Sequence, residues 1–340
     1  MSSADRMDLF MRELWEELER ELPPDTSSHQ RTYRRLDLEK ETGIRLSCSS
    51  PGRIWELLIE TGISGETLSI DFPKWKGMDF EVLTLDVPKR DTCHLRLFLE
   101  QRENRDIFVT ICADLIQALD GCMTNESRRN EIVDFLTRWN RFFERHGQEG
   151  LSSEGQRGLY GELCWLRRMI QSGIKSVATV NSWKGCRRNY HDFEINGHAV
   201  EVKTTMTKEP RKVQINNERQ LDDRGLISLH MFVLTIAKSS AGSETLPSIV
   251  QSLRGIFSEK PSAYAFEQSL REAGYLDIHA HLYNNSSYSV IKEELFHARE
   301  GFPRITDMPQ GLGDLHYTVV LAACGHFICE LSEYFQLIQE

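Results

Sequence analysis

The dipeptide Asn196-Gly197 constrains the fold more than any other feature, because it lies between two short runs of alternating apolar and polar residues. This arrangement is the strongest local signal for a two-residue β-hairpin turn. If the turn closes in its usual register, Asp192 lies directly across from Glu201. Alternation along the second strand then places Lys203 on the same face as Glu201. The hairpin is therefore expected to gather two carboxylates and an ammonium group on one side.

Such a cluster is unfavourable unless a cation joins it. Facing side chains in an antiparallel pair have Cβ atoms roughly 5 Å apart, and two like charges at that distance repel by roughly 3 kcal/mol at an effective dielectric of about 20. A divalent ion reverses the sign, and Mg²⁺ binds one or two protein carboxylates together with water and substrate phosphate. The alternative is a solvated strand face whose carboxylates splay outward and pair with Lys203. The opposite face of the hairpin is apolar and carries Phe193, Ile195, Val200 and Val202.

Six segments between residues 150 and 222 follow the order of motifs in a known family. The chain resembles the PD-(D/E)XK motif proteins encoded in bacterial restriction and phage-defence clusters. One departure is His191, which stands where the motif has its nominal proline and leaves the neighbouring aspartate intact. The six segments are Leu151-Ser152-Ser153, Gly158-Leu159-Tyr160-Gly161-Glu162-Leu163, Trp183-Lys184-Gly185, His191-Asp192-Phe193, Glu201-Val202-Lys203-Thr204-Thr205 and Arg219-Gln220-Leu221-Asp222.

The resemblance implies a fold and a chemistry. The fold is an α+β restriction-endonuclease-like core with a mixed central sheet flanked by helices. The chemistry is metal-assisted hydrolysis of DNA, with Asp192 and Glu201 holding Mg²⁺, for which Mn²⁺ can substitute. Lys203 would orient the attacking water or stabilise the transition state. Because acidic groups surround this lysine, we expect it to stay protonated and not to act as a free base.

The helix expected upstream of the hairpin carries a further acidic residue. Ser153 followed by Gln156 has the pattern of a capping box. Glu162 falls within the apolar stripe of this helix, where an unpaired charge would be strongly unfavourable. A glutamate at the margin of the stripe, favoured by the helix dipole, is the alternative. The resemblance implies instead that Glu162 is an accessory acid that approaches the metal. The stripe consists of Leu159, Leu163, Leu166 and Ile170.

Candidate substrate-binding residues surround the hairpin. The whole chain has a net charge of −10 and a pI of about 5.6, so indiscriminate binding of polyanions is not expected. Between residues 184 and 212, however, seven basic side chains outnumber four acidic ones, as contact with a phosphate backbone would require. An ordinary charged loop or surface glutamine is the alternative for each of the candidates. They are Lys184, Arg187, Arg188, Gln214 on the next alternating run, and Gln220, which fits the family pattern better.

Length and composition place the chain in a broad class. The 340 residues, with 40% hydrophobic and 27% charged content, predict a globular protein of about two domains. We expect a β-rich N-terminal domain with amphipathic helices over residues 1–147, and a nuclease-like domain with a C-terminal extension over residues 148–340. No transmembrane run or signal peptide is evident, and the scattered cysteines fit a reduced cytoplasm.

The element pattern of the first domain is predicted from periodicity. Met7, Phe10, Met11, Leu14, Leu18 and Leu22 predict an apolar helical stripe that stops at Pro23-Pro24. Short strands are predicted at residues 44–46, 67–70, 80–85, 95–99 and 107–111. An amphipathic helix is predicted to end near Gly147. In the second domain, residues 226–237 predict a central strand, and residues 317–323 predict a further strand at the end of its sheet.

The resulting hypothesis is a Mg²⁺-dependent endonuclease of DNA in a bacterial restriction or phage-defence system. One alternative is a catalytically silent nuclease-fold adaptor that binds DNA or partner proteins of a defence complex. Cleavage of structured RNA is another. The chain has no Walker A motif, so any coupling to ATP would come from a separate ATPase or helicase. Double-strand cutting with one site per chain would favour a homodimer.

Overall fold

The computed structural model shows a mixed α+β protein, as predicted. The chain divides into two compact units, Met1–Gln148 and Glu149–Glu340. Among the described residues, no helix is both long and apolar enough to cross a membrane. The structure describes residues 3–23, 30–36, 43–63, 72–85, 92–147, 149–185, 190–206, 209–239, 244–306 and 315–339.

The first unit is built on a five-stranded antiparallel sheet with the order β1-β2-β3-β5-β4. Within the described residues of this unit, three α-helices accompany the sheet. The predicted strand at residues 67–70 lies outside the described residues. The elements are α1 (Ser3–Glu21), β1 (Arg31–Arg35), β2 (Ile44–Ser49), β3 (Ile54–Ile63), β4 (Met78–Leu85), β5 (Thr92–Leu99), α2 (Arg105–Leu119) and α3 (Asn125–His146).

Helix α1 packs its apolar stripe as the sequence predicts, with one exchange of residues. Met11, Leu18 and Leu22 are buried, but Phe10 is 49% exposed. Trp15 occupies the core instead, where its ring stacks on Trp55 at 5.4 Å between centroids. The large aromatic ring is therefore the anchor of this helix.

The predicted strand at residues 107–111 is wrong, because these residues belong to α2. Ile107, Phe108, Val109 and Ile111 are all buried. Over five residues this apolar, β-branched run looks like a buried strand, and periodicity alone does not distinguish the two. The polar side of the helix becomes visible only over its full length, at Asp106, Asp114 and Gln117. The helix predicted next is confirmed as α3, which ends at Gly147 with a φ of 68°.

The second unit contains a six-stranded sheet with the order β10-β11-β9-β7-β6, and β13 pairs with β11. Strands β7 and β9 are parallel, whereas the other pairs are antiparallel. The predicted central strand is confirmed as β9. The elements are α4 (Ser153–Gln171), α5 (Ser176–Ser182), β6 (Phe193–Ile195), β7 (His198–Met206), β8 (Lys212–Ile215), β9 (Ser228–Ser239), β10 (Glu244–Thr245), α6 (Leu246–Ile256), α7 (Lys260–Glu272), α8 (Ala280–Tyr283), β11 (Ser287–His297), β12 (Tyr317–Val320), β13 (Ile328–Cys329) and α9 (Leu331–Leu337).

Strand β7 separates two apolar cores by simple alternation. Val200 and Val202 lie in the core that contains the buried side of α4. Ala199, two residues before Glu201, lies in the core on the other face of the sheet, together with residues of β8 and β12. Glu201 and Lys203 therefore share the second face, as the period of two requires.

The end of the chain departs from prediction. Residues 317–320 form β12, but residues 321–327 continue as a 3₁₀ helix. Strand β12 pairs with β8 in a separate two-stranded sheet, so it does not extend the main sheet. Apolar composition predicts burial here but carries no information about the pairing partner.

Candidate functional site

The hairpin at Asn196-Gly197 forms in the predicted register. Phe193 pairs with Val200, and Ile195 pairs with His198. Asn196 and Gly197 have φ values of 51° and 80°, the two positive angles that a type I′ turn requires. Because this turn matches the twist of the flanking strands, the register of Asp192 and Glu201 follows directly from the local sequence.

Asp192 lies just before β6 and is held by backbone groups on two sides. Its Oδ2 accepts a hydrogen bond from the Val202 N–H at 2.7 Å. Its carbonyl oxygen accepts from the N–H groups of Lys184 at 2.7 Å and Gly185 at 2.9 Å. A Cβ at Gly185 would lie 2.5 Å from Asp192 Oδ1. The carboxylate therefore occupies space that only a glycine leaves open.

Glu201 and Lys203 form a compact pair on β7. Lys203 Nζ lies 2.8 Å from Glu201 Oε1 and donates a hydrogen bond to Gln220 Oε1 at 2.9 Å. The Asn216 N–H also donates to Gln220 Oε1 at 2.9 Å. Gln220 is thereby fixed as an acceptor, and the lysine ammonium is held between two oxygens.

The second oxygen of Glu201 is unsatisfied. Glu201 is 1% exposed, and its Oε2 has no hydrogen-bond partner within the part of the chain that the structure describes. Burial and the nearby Asp192 carboxylate raise the pKa of Glu201 to about 8. A buried carboxylate oxygen without a partner is costly, so this atom is the natural place for a cation.

The other charged groups respond to the same environment. Burial raises the pKa of Asp192, although Lys203 and the Val202 N–H oppose the shift. Burial, followed by the Asp192 charge, raises the pKa of Glu162 well above its usual range. Desolvation acts to lower the pKa of Lys203, but the surrounding carboxylates outweigh it, and the pKa lies above the ordinary value. The lysine is therefore a cation at neutral pH, as the sequence predicts.

Glu162 reaches the cluster from α4. Its Oε2 accepts a hydrogen bond from Trp183 Nε1 at 2.6 Å, and its charge interacts with Asp192, Glu201 and Lys203. The predicted capping residue of this helix is wrong by one position. Ser152 is the N-cap, and its side chain accepts from the Gly155 N–H. Gln156 instead donates to the Leu151 carbonyl oxygen.

The predicted substrate-binding residues separate into four groups. Gln220 contacts Lys203, whereas Gln214 is exposed on β8 opposite Thr318. Lys184 contributes its backbone N–H to Asp192. Arg187 and Arg188 lie outside the described residues.

Two contacts near the site were not foreseen from the sequence. Trp183 is 1% exposed and binds Glu162, and Gly185 packs against the Asp192 carboxylate. The Trp183-Lys184-Gly185 motif is the part of the sequence that could have indicated these contacts. Its distance along the chain from Asp192 does not by itself show that the two are in contact. Tyr190 is 55% exposed, with the Arg219 guanidinium 4.7 Å from its ring centroid.

The donor set fits a hard divalent cation. No group of three or more His, Cys, Asp or Glu side chains that could hold a metal ion occurs among the described residues. Mg²⁺, however, binds through one or two carboxylates and keeps several waters. Asp192 and the partnerless Oε2 of Glu201 would supply these two ligands, with Glu162 in electrostatic reach.

Comparison with known proteins adds one finding. A protein-family model described as "Putative PD-(D/E)XK family member, (DUF4420)" matches residues 11–322. The matched range covers most of both units and contains Glu162, Asp192, Glu201 and Lys203. No curated protein and no solved structure matches the chain.

Proposed function

The chain belongs to this PD-(D/E)XK family, and on that premise we propose that it is a metal-dependent nuclease that hydrolyses DNA in a bacterial restriction or phage-defence system. Family membership supports a nuclease-like fold and endonuclease-type chemistry. The choice of DNA as substrate and Mg²⁺ as the metal is ours, and it extends the family assignment. Both choices rest on the side chains around the hairpin.

The single observation that carries the proposal is that only one of the two carboxylate oxygens of Glu201 has a partner among the described residues. Its Oε1 is paired with Lys203, whereas its Oε2 is buried without a hydrogen-bond partner in the described structure. Burial, followed by the Asp192 charge, raises the pKa of the same carboxyl. A purely structural carboxylate would not be kept in such surroundings, because burial without full pairing is destabilising.

The residues of the chain have distinct roles in the proposed reaction. Asp192 and Glu201 hold the metal ion, which when bound supplies Lewis acidity to activate water and neutralise phosphate charge. Lys203 remains protonated and stabilises the negative charge that develops on the scissile phosphate. Gln220 holds the ammonium of Lys203 at 2.9 Å. This preorganisation means that little reorientation is needed when the charge develops.

The surroundings of the site support a phosphodiester substrate. The chain is acidic overall, yet residues 184–212 carry more basic than acidic side chains. Phosphate contacts by basic residues supply most of the sequence-independent affinity for DNA. We therefore assign Lys184, Arg187 and Arg188 to the backbone of the substrate, with Glu162 as an accessory acid of the metal site.

The proposal is tested with purified protein and four substrates: linear, circular and single-stranded DNA, and structured RNA. We expect cleavage of DNA with Mg²⁺ or Mn²⁺ and none with EDTA. Lys203→Ala should lower the rate by about 100-fold or more, because preorganised charge stabilisation of this kind contributes about 10²–10³.

A matched control is Lys260→Ala, since Lys260 is an exposed lysine at the start of α7. Its rate should equal that of the wild type. Cleavage of RNA alone would correct the substrate. Absence of cleavage under every condition would reject the nuclease and leave the non-cleaving adaptor.

A further inference from the structure

We propose that residues 183–185 are the positioning element of the metal site, because this one segment fixes both Glu162 and Asp192 against Glu201. The inference rests on the proposed metal-dependent function. It assigns no direct contact with metal or substrate to Trp183 or Gly185. Their role is to hold the carboxylates that make those contacts.

Trp183 fixes the orientation of Glu162. The indole N–H donates a short hydrogen bond to Glu162 Oε2, at 2.6 Å. One carboxylate oxygen is thereby occupied by the indole, and the other is left for the acidic cluster. A glutamate has three rotatable bonds, so without this donor its carboxylate would sample several orientations.

The indole is itself rigid. Trp183 is 1% exposed, and its backbone forms an isolated bridge with Phe193. The ring lies nearly parallel to the Phe193 ring, with 10° between the planes and 6.4 Å between the centroids. Phe266 of α7 packs at the same distance. The donor therefore has no freedom to follow a moving carboxylate.

The next two residues fix Asp192. The N–H groups of Lys184 and Gly185 both bind the Asp192 carbonyl oxygen. Gly185 has no side chain, and this allows Asp192 Oδ1 to lie close to its backbone. A Cβ added at Gly185 would be only 2.5 Å from Asp192 Oδ1. Because Trp183 precedes these residues directly, the spacing between Glu162 and Asp192 is set by three consecutive residues.

Residues that orient metal ligands are worth about 10–100-fold in metal affinity or activity. We therefore expect Trp183→Phe, which keeps the ring and removes the N–H, to weaken Mn²⁺ binding by about tenfold in calorimetric titration. The maximal rate at saturating metal should change much less than the metal concentration needed for half-maximal rate. That split distinguishes positioning from a general loss of structure.

Trp165→Phe is a matched control. Trp165 is also fully buried in the same core, and its ring centroid also lies 6.4 Å from that of Phe193. Its Nε1 has no hydrogen-bond partner among the described residues. This variant removes the same atoms without removing a contact to Glu162, so its Mn²⁺ affinity should stay within about twofold of wild type.

A double-mutant cycle tests whether Trp183 affects metal binding through Glu162. In a Glu162→Gln background, Trp183→Phe should no longer change the Mn²⁺ affinity, because the indole acts only through Glu162. Gly185→Ala provides an independent measurement, since its Cβ would displace Asp192 Oδ1. Its partner control is Gly255→Ala, where a Cβ meets nothing within 4 Å.

The outcomes separate the two proposals. Unchanged Mn²⁺ affinity in both Trp183→Phe and Gly185→Ala would overturn the positioning role alone. The same holds if Trp165→Phe weakens binding as much as Trp183→Phe does. Wild-type protein that binds Mn²⁺ but cleaves no nucleic acid would overturn the nuclease alone. Wild-type protein that binds no divalent metal would overturn both.

Discussion

Two buried carboxylates, one in each unit, differ in how fully their oxygens are hydrogen-bonded and paired with cations. Glu56 on β3 is 0% exposed, and both of its carboxylate oxygens accept from donors. Ser47 and Ser49 donate at 2.5 Å each, Arg31 Nε lies 2.8 Å away, and Arg96 pairs with Oε1. Two cations and two hydroxyls thus satisfy one carboxylate within the chain.

Glu201 on β7 is equally buried but has one cation and one unsatisfied oxygen. Its nearest charged neighbours include another carboxylate, Asp192. The comparison teaches that burial of an acid is not by itself a functional signal. A complete set of donors indicates a structural role, whereas a missing donor beside a like charge indicates a ligand.

The largest expected effect is on the stability of the protein, which substitution of Glu56 and of Glu201 should change differently. Glu56→Gln should lower the free energy of unfolding by about 3–5 kcal/mol, because it removes the buried charge that pairs with Arg31 and Arg96. Glu201→Gln should not lower it in the metal-free protein at neutral pH, since it removes both the buried charge and the repulsion from Asp192. Urea denaturation with a probe in each unit measures both values.

The comparison would fail if the two substitutions destabilised the protein equally. Glu56→Gln should also leave the Mn²⁺ affinity of the folded protein unchanged, while Glu201→Gln should abolish tight binding. A loss of metal binding in Glu56→Gln at temperatures where the protein is folded would contradict the structural role assigned to Glu56.

The next prediction concerns how the metal affinity of Glu201 depends on pH. The pKa of Glu201 is about 8 in the folded protein, so metal binding below that pH must displace a proton. The Mn²⁺ dissociation constant should fall about tenfold per pH unit between pH 6 and 8, equivalent to about 1.4 kcal/mol per unit, and then level off. Calorimetric titrations in buffers of different ionisation enthalpy would count the released protons.

The metal-free protein should show the opposite trend in stability. A carboxyl whose pKa is raised on folding binds more protons in the native state than in the unfolded chain. Stability is therefore lost as pH rises from about 4.5 towards 8, and Glu201→Gln should remove this contribution. Mn²⁺ binding that is independent of pH, with no proton release, would show that Glu201 is not a ligand.

The parts of the site that lie close in sequence could be predicted, because local rules determine them. The Asn196-Gly197 turn allows one register, and this register together with alternation placed Asp192, Glu201 and Lys203. Glu162 was expected to have a partner because it lies within an apolar stripe. The identity of that partner, Trp183, depends on how α4 packs on the hairpin, which no local pattern encodes.

The parts that depend on distant pairing could not be predicted. Arg31 and Arg96 lie 25 and 40 residues from Glu56, so the complete cluster cannot be recognised from the sequence. Residues 107–111 of α2 predict a strand because they form a short apolar run, and nothing in the sequence of β12 indicates that it pairs with β8. In each case tertiary packing decided between states that periodicity leaves equal.

The smallest effect concerns how closely α4 brings Glu162 to β7. A Cβ at Gly161 would lie 2.2 Å from Thr204 Oγ1 and 3.3 Å from Val202 Cγ1, so Gly161→Ala must move the helix or rotate Thr204. We expect a loss of about 1 kcal/mol in stability and a several-fold weaker affinity for Mn²⁺. The measurements are thermal unfolding and Mn²⁺ titration.

Gly158→Ala, one turn earlier on the exposed side of α4, is the matched control. A Cβ there meets nothing within 4 Å, so the better helix propensity of alanine should stabilise the protein by about 0.5–1 kcal/mol. The two substitutions on one helix should therefore have opposite signs in stability, and only Gly161→Ala should affect the metal. Equal Mn²⁺ affinities for the two variants would show that the metal site tolerates displacement of Glu162. The contrast between Glu56, which is fully paired within the chain, and Glu201, which needs a metal ion, would then depend on β7 and Asp192 alone.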